Sequence, residues 1–104
     1  GMLVHVGAYT EGTGRDGVHL LRADPAAGTV RRVGSAAAGP EPSFLARHPG
    51  GRVLYAANEV GAWEGRPTGA VSAFAVDPAT GALALLGRRA SGGGAPCWIA
   101  VDRA

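Results

Sequence analysis

The 104-residue chain has no lysine, a single cysteine and no apolar run near the roughly twenty residues that span a bilayer. Each shortage excludes something. One thiol, Cys97, allows neither an intramolecular disulfide nor a cysteine-based zinc site. With no base beside it in sequence, Cys97 reads as a buried, inert thiol. His5, His19 and His48 fall at no metal-ligand spacing, so neither a metal nor another cofactor is expected. The ten arginines are scattered, with only Arg31-Arg32 and Arg88-Arg89 adjacent, and eight carboxylates leave a net charge of +2. A nucleic-acid-binding face would cluster its basic residues with aromatics between them, so no nucleic-acid partner is expected, and no membrane partner either. The first residues carry no basic region followed by a long apolar one, which argues against a signal peptide. Gly1 before Met2 reads as the remnant of a removed tag. A reducing, cytoplasmic setting is the expectation. Ser43 lies between Pro42 and Phe44, outside any nucleophile elbow. Nor does any window carry the apolar stripe of a helix.

What is present points the other way. The chain is 46% hydrophobic, too apolar for disorder, and its 18 glycines and 7 prolines punctuate short apolar runs. That pattern predicts an all-β chain rich in turns. The sequence also repeats. Asp24-Pro25-Ala26-Ala27-Gly28-Thr29-Val30 returns 53 residues later as Asp77-Pro78-Ala79-Thr80-Gly81-Ala82-Leu83. Pro42-Ser43-Phe44-Leu45-Ala46 returns 54 residues later as Pro96-Cys97-Trp98-Ile99-Ala100, and 4–9 corresponds to 53–58 at an offset of 49. A period near fifty with four β-runs per unit is the signature of β-propeller blades, which are four-stranded antiparallel meanders.

Lettered from the innermost strand A to the outermost D, the runs predict about two blade equivalents. Strands B, C and D of a first blade fall within 3–35, at 3–9, 18–24 and 29–34. A full blade occupies 43–89, with strands at 43–47, 52–57, 70–77 and 82–88. The run 97–102 is expected as the innermost strand of a next blade. Middle strands covered by neighbouring blades on both faces should be apolar without alternation, as 53–57 and 71–76 are. The outer runs carry arginine, as edges facing water do. In Asp77-Pro78-Ala79-Thr80-Gly81, Pro78 presets φ, Asp77 can bond its own backbone and Gly81 supplies a positive φ, so this is a turn.

Gly12-Thr13-Gly14-Arg15-Asp16-Gly17 spells the G-x-G-x-x-G dinucleotide fingerprint, but that motif needs a helix after it. The run 18–24 that follows is a predicted strand, so a hairpin loop is the reading. His48-Pro49-Gly50-Gly51 reads as a turn, and the other two histidines as ordinary strand residues. Glu59, just past Asn58 at a strand end, is the candidate for chemistry, since a carboxylate there can meet a ligand at a propeller mouth.

Val6-Gly7-Ala8-Tyr9-Thr10, the unbroken segment from Pro42 to Glu59, and the later 69–77, 81–83 and 91–97 occur in an order that resembles the seven-bladed lactonase-type β-propellers typified by 6-phosphogluconolactonase. The resemblance covers nearly the whole chain. It implies a parent that hydrolyses a sugar lactone without a metal, acting on a small sugar-lactone substrate. It also implies that Glu59 is the catalytic candidate and that Asn58, Ser43 and Cys97 line the substrate-binding mouth. The family's arginines and histidine lie on later blades in Pro-Arg-His and His-Pro-His contexts, which do not occur here. In a later repeat the arginine takes the register of Ser43 and Cys97, and the glutamate that of Glu59. The chain by itself is therefore expected to be inactive. A non-catalytic propeller module binding a protein or glycan is the alternative.

A unit of two blades would expose two apolar faces. With on the order of 500 Å² each, covering them would contribute roughly 12 kcal/mol at about 25 cal/mol/Å². Either a homo-oligomer that exchanges 97–102 between copies or the remaining blades of a longer protein is expected to cover them.

Overall fold

The computed structural model describes residues 1–103. Their elements are all strands, arranged as two antiparallel meanders. The first sheet holds β1 (Met2–Gly7), β2 (Gly17–Asp24) and β3 (Thr29–Ala37), in the order β1-β2-β3. The second holds β4 (Pro42–Arg47), β5 (Val53–Asn58), β6 (Ala70–Val76) and β7 (Leu83–Ala90), in the order β4-β5-β6-β7. These are the sheets of propeller blades. β3 runs three residues beyond the expected end at 34.

Local chemistry explains the outer hairpins. Asp24 Oδ1 accepts the N–H groups of Ala26 and Ala27 at 3.1 and 3.2 Å, and Asp77 Oδ1 those of Ala79 and Thr80 at 2.8 and 3.2 Å. In the second copy of the turn Gly81 closes the loop with φ 77°, its N–H donating to the Asp77 carbonyl at 2.8 Å. A carboxylate that satisfies two turn N–H groups sets the register of the flanking strands beside the turn, up to bulges at Leu20/Leu21 and Ala73/Phe74.

The sheets pack face to face around Val18, Ala38, Ala56 and Phe74, with Leu45 and Leu83 at the margin. The approach is closest between β1 and the start of β4. A Cβ on Gly7 would overlap the Pro42 carbonyl oxygen, so only glycine lets these strands come together. On the outer side His5 bridges the sheets: Arg47 donates to its Nδ1 at 3.1 Å, and Nε2 lies 2.8 Å from the Gly81 carbonyl. A guanidinium only donates, so the proton sits on Nε2 and is given to Gly81. His48 caps its own turn, accepting the Gly50 N–H at 3.0 Å.

Burial reports how many neighbours each sheet has. β6 is apolar almost throughout, yet its residues alternate between buried and half-buried, because only its even-numbered side chains meet the first sheet. β1 alternates likewise, with Met2, Val4 and Val6 exposed on the outer face. Continuous burial of a middle strand needs a sheet on each side, and each sheet here has one.

The run 97–102 departs from expectation, since its residues form no strand among the described ones. The reason is physical. An innermost strand acquires its ladder from the second strand of its own blade, as β4 does from β5, and among the described residues no strand stands in that place beside 97–102.

Candidate functional site

At one end of the inner strands Gly7, Ala8, Tyr9, Ser43, Glu59 and Cys97 line an open cleft of about 290 Å³. Three of the four expected site residues therefore meet, although they lie 16 and 38 positions apart along the chain. Ser43 is the second residue of β4, and Glu59 stands one residue beyond β5, the partner strand. The Ser43 hydroxyl donates to Glu59 Oε1 at 2.6 Å, and the Tyr9 hydroxyl donates to the same oxygen at 3.1 Å. Glu59 also borders a second open cleft beside Thr10, Pro40 and Val60.

Cys97 arrives by anchorage rather than by strand pairing. Gly69 donates its N–H to Gly93 and Ala95 donates its own to Val60, both at 2.8 Å, and the Pro96 ring rests against Gly69. The thiol is exposed, which corrects the expectation of a buried one, because it borders an open cleft that no side chain covers.

Asn58 is the second correction. It was expected at the mouth beside Glu59, but it is 0% exposed. Successive residues of a strand face opposite ways, so the neighbour of a rim residue points into the protein. Its Nδ2 donates to the carbonyls of Ala38 and Pro40 at 2.9 and 2.7 Å. Its Oδ1 accepts the Ser72 hydroxyl at 2.6 Å, and Ser72 Oγ accepts Arg88 Nε at 2.8 Å. This buried polar chain ties the segment between the two sheets onto β5, β6 and β7. Asn58 is thus a support for the rim and not part of it.

Two participants escaped the sequence reading. Tyr9 closes the far wall from 50 positions away. The Glu59 carboxylate raises the Tyr9 hydroxyl above its ordinary 10.0, first through the hydrogen bond and then through its charge. Glu41 fastens the loop after β1 to the start of β4. Its carboxylate accepts the N–H groups of Thr10 and Glu11 at 2.7 and 2.6 Å, while Thr10 Oγ1 lies 3.2 Å from it. The Thr10 N–H above all holds this carboxyl below its ordinary 4.5; burial acts in the other sense. The Glu41 carbonyl in turn accepts the N–H groups of Ser43 and Glu59 at 2.8 and 2.9 Å, so it places both cleft residues at once. Glu41 adopts a φ of 49°, in the left-handed region, and these bonds hold it there.

No arginine or histidine lines this cleft. Among the described residues no group of three His, Cys, Asp or Glu side chains could hold a metal ion. A cleft of about 400 Å³ opens elsewhere between the sheets, beside Leu20, Val33 and Leu83, but its histidine, His5, is committed to Arg47 and Gly81. The G-x-G-x-x-G run ends at Gly17, the first residue of β2, so no helix N-terminus follows to receive a phosphate.

Residues 3–104 match the sequence model of the family described as "Lactonase, 7-bladed beta-propeller". The chain belongs to that family. Among solved structures it is similar to a candidate 6-phosphogluconolactonase from Bacteroides uniformis, with 34% identity and a TM-score of 0.81 over 94% of this chain and 27% of that one. A second candidate 6-phosphogluconolactonase, from Bacteroides fragilis, shows 31% identity and a TM-score of 0.82 over 94% of this chain and 26% of that one. The periplasmic gluconolactonase of Pseudomonas aeruginosa shows 31% identity and a TM-score of 0.68 over 83% of this chain and 24% of that one. No curated protein matches the sequence. This lactonase-family chain thus spans about a quarter of the length of the structures it resembles.

Proposed function

We propose that this chain carries one wall of the active site of a sugar-lactone hydrolase, with Glu59 as the general base, and that it is inactive without further blades. The reading is carried by the Glu59 carboxylate, which borders the open cleft and is held by the Ser43 and Tyr9 hydroxyls on one oxygen. Hydrolysis of a lactone needs a water deprotonated as it attacks the ring carbonyl, and a group that stabilises the oxyanion. Glu59 supplies the first requirement: its carboxylate takes the proton from water as the new C–O bond forms. When the tetrahedral centre collapses, the ring C–O bond breaks and the proton passes to the departing alkoxide. Ser43 and Tyr9 fix the carboxylate's rotamer, and Cys97 shapes the rim.

The second requirement is unmet by the lining of this cleft, which holds no cation. Cationic or N–H donors from other blades would complete the site and give affinity for a phosphorylated or acidic sugar. The test has two arms. With glucono-δ-lactone or 6-phosphogluconolactone, the purified chain should leave the hydrolysis rate within about twofold of the spontaneous one, and a clear excess would overturn the claim of inactivity. When gluconate is titrated in, amide resonances of Tyr9, Ser43, Glu59 and Cys97 should shift. Perturbations confined to other surfaces would remove the cleft from consideration.

A further inference from the structure

Between β5 and β6 the chain carries a short hairpin that the chemistry of Glu59 leaves unused. Trp63 and Arg66 exchange both main-chain bonds: the Trp63 N–H donates to the Arg66 carbonyl at 3.0 Å, and the Arg66 N–H to the Trp63 carbonyl at 3.1 Å. The two residues between them, Glu64 and Gly65, have φ of 50° and 73°, as a two-residue type I′ turn requires. Gly65 adopts that conformation freely, whereas Glu64 is held in it against its preference. Residues directly opposite in an antiparallel pair carry their side chains on one face of the ribbon, so the indole and the guanidinium leave the hairpin on the same side.

The hairpin is braced at both feet. The Val60 carbonyl accepts the Ala95 N–H at 2.8 Å, and Gly69 donates to Gly93 and accepts from Ser91 at 2.8 and 2.9 Å. Gly92 donates to Thr68 Oγ1 at 3.2 Å, and the Arg66 carbonyl accepts a second N–H, that of Thr68, at 2.9 Å. Thr68 and Gly69 are buried, residues 64–67 are exposed and Trp63 is half-buried. Neither the Trp63 ring N–H nor the Arg66 guanidinium has a hydrogen-bond or ion-pair partner among the described residues. A fixed main chain thus presents an indole and an uncommitted cation, with little freedom left to lose on binding.

The place of the hairpin beside Glu59 indicates its ligand. The segment leaves β5 through Glu59, and Val60 and Gly61 wall the cleft of about 430 Å³ that Glu59 shares with Glu11 and Glu41. Trp63 stands two residues beyond Gly61, within about 7 Å along the chain. Arg66, its hydrogen-bonded partner, lies about 5.5 Å across the hairpin from it. The cleft lining itself supplies carboxylates and no cation, so an anionic ligand needs a positive charge from beside it. We infer that Trp63 and Arg66 bind the far end of an acidic sugar whose reacting end lies at Glu59. The indole packs against the C–H face of the sugar, and its N–H serves a hydroxyl. The guanidinium pairs with a phosphate or carboxylate, since its planar fork fits either anion with two parallel bonds. These two residues set affinity and selectivity and take no part in bond breaking. The inference rests on the proposed lactone-hydrolase reading and adds to it the residues that choose an acidic sugar over a neutral one.

Titration of 6-phosphogluconate into the isotope-labelled chain, followed by nuclear magnetic resonance, tests it. The Trp63 indole resonance, told from that of Trp98 by Trp98→Phe, should move saturably together with the amides of Tyr9 and Glu59. Arg66→Gln keeps both main-chain bonds of the hairpin and should leave the circular dichroism spectrum unchanged. It should weaken 6-phosphogluconate about tenfold, the worth of one charge-assisted pair, and leave the response to glucose as it was. Arg66→Lys should recover part of the loss. Gluconate separates the two anions: an equal dependence on Arg66 assigns the carboxylate, and a dependence confined to 6-phosphogluconate assigns the phosphate. A Trp63 resonance that stays still while Tyr9 and Glu59 move overturns the inference and leaves the reading of Glu59 standing. Trp63 moving while Tyr9 and Glu59 stay still upholds the hairpin as a sugar-acid site and removes the reading of Glu59. An affinity of Arg66→Gln for 6-phosphogluconate within roughly twofold of the natural chain's, or an equal loss for glucose, also overturns the inference.

Discussion

Ser43 and Glu59 meet across 2.6 Å because β4 and β5 are neighbours in one sheet, and the hydroxyl of the first orients the carboxylate of the second. The same oxygen also receives the Tyr9 hydroxyl, which comes from the other sheet. One carboxylate atom thereby joins the two blades at the rim.

Tyr9 reports on that junction. In a Tyr55→Phe background, so that a single tyrosine titrates, near-ultraviolet absorbance should place the Tyr9 midpoint above 10.0. Glu59→Gln removes the charge and weakens the hydrogen-bond acceptor, and should bring the midpoint back down. The sign for stability follows. A folded-state value above the unfolded one means that this pair's contribution is complete below pH 10.0 and is lost as the pH climbs through the folded-state value. An unchanged midpoint in Glu59→Gln would show that the two groups do not interact in solution.

Glu41 should govern the acid side. Its carboxyl is held below 4.5 in the folded chain, so its contribution is present above that value and is lost as the pH falls through the lower folded-state value. Thermal melts recorded as the pH drops through the acid range should show a steeper fall for the natural chain than for Glu41→Gln. At neutral pH the variant should melt lower. Parallel curves for the two proteins would exclude this role.

Asn58 should matter to folding more than to chemistry. Asn58→Ala leaves the Ala38 and Pro40 carbonyls and the Ser72 hydroxyl without their buried partner, a loss of about 2–4 kcal/mol. Asn58→Asp keeps the shape but aims an acceptor at two carbonyls, and should cost at least as much. Urea midpoints measure both. A change below about 0.5 kcal/mol for either variant would return Asn58 to the list of surface residues.

The features that proved legible in the sequence are those made by neighbours along the chain. Asp24 and Asp77 bond N–H groups two and three residues on, and the turns they form are visible as five-residue motifs. Glu59 was legible as a strand-end carboxylate. The Asn58 side chain was not, since whether a strand residue faces rim or interior depends on a twist and a register that sequence does not print. Tyr9 and Glu41 depend on contacts made 50 and 31 positions away. The strand at 97–102 was read from its repeat of 42–46, and a repeat cannot supply the partner that a ladder needs.

The paired Asp-Pro turns carry one more consequence. Each closes its hairpin with bonds drawn from its own five residues, so alignment of the outer two strands begins at the turn and does not depend on their exposed outer residues. Arg31, Arg32, Leu85 and Leu86 can therefore drift in identity without letting the strands slip. The periphery of such a blade can be rewritten for new surface chemistry while the wall beneath keeps its place.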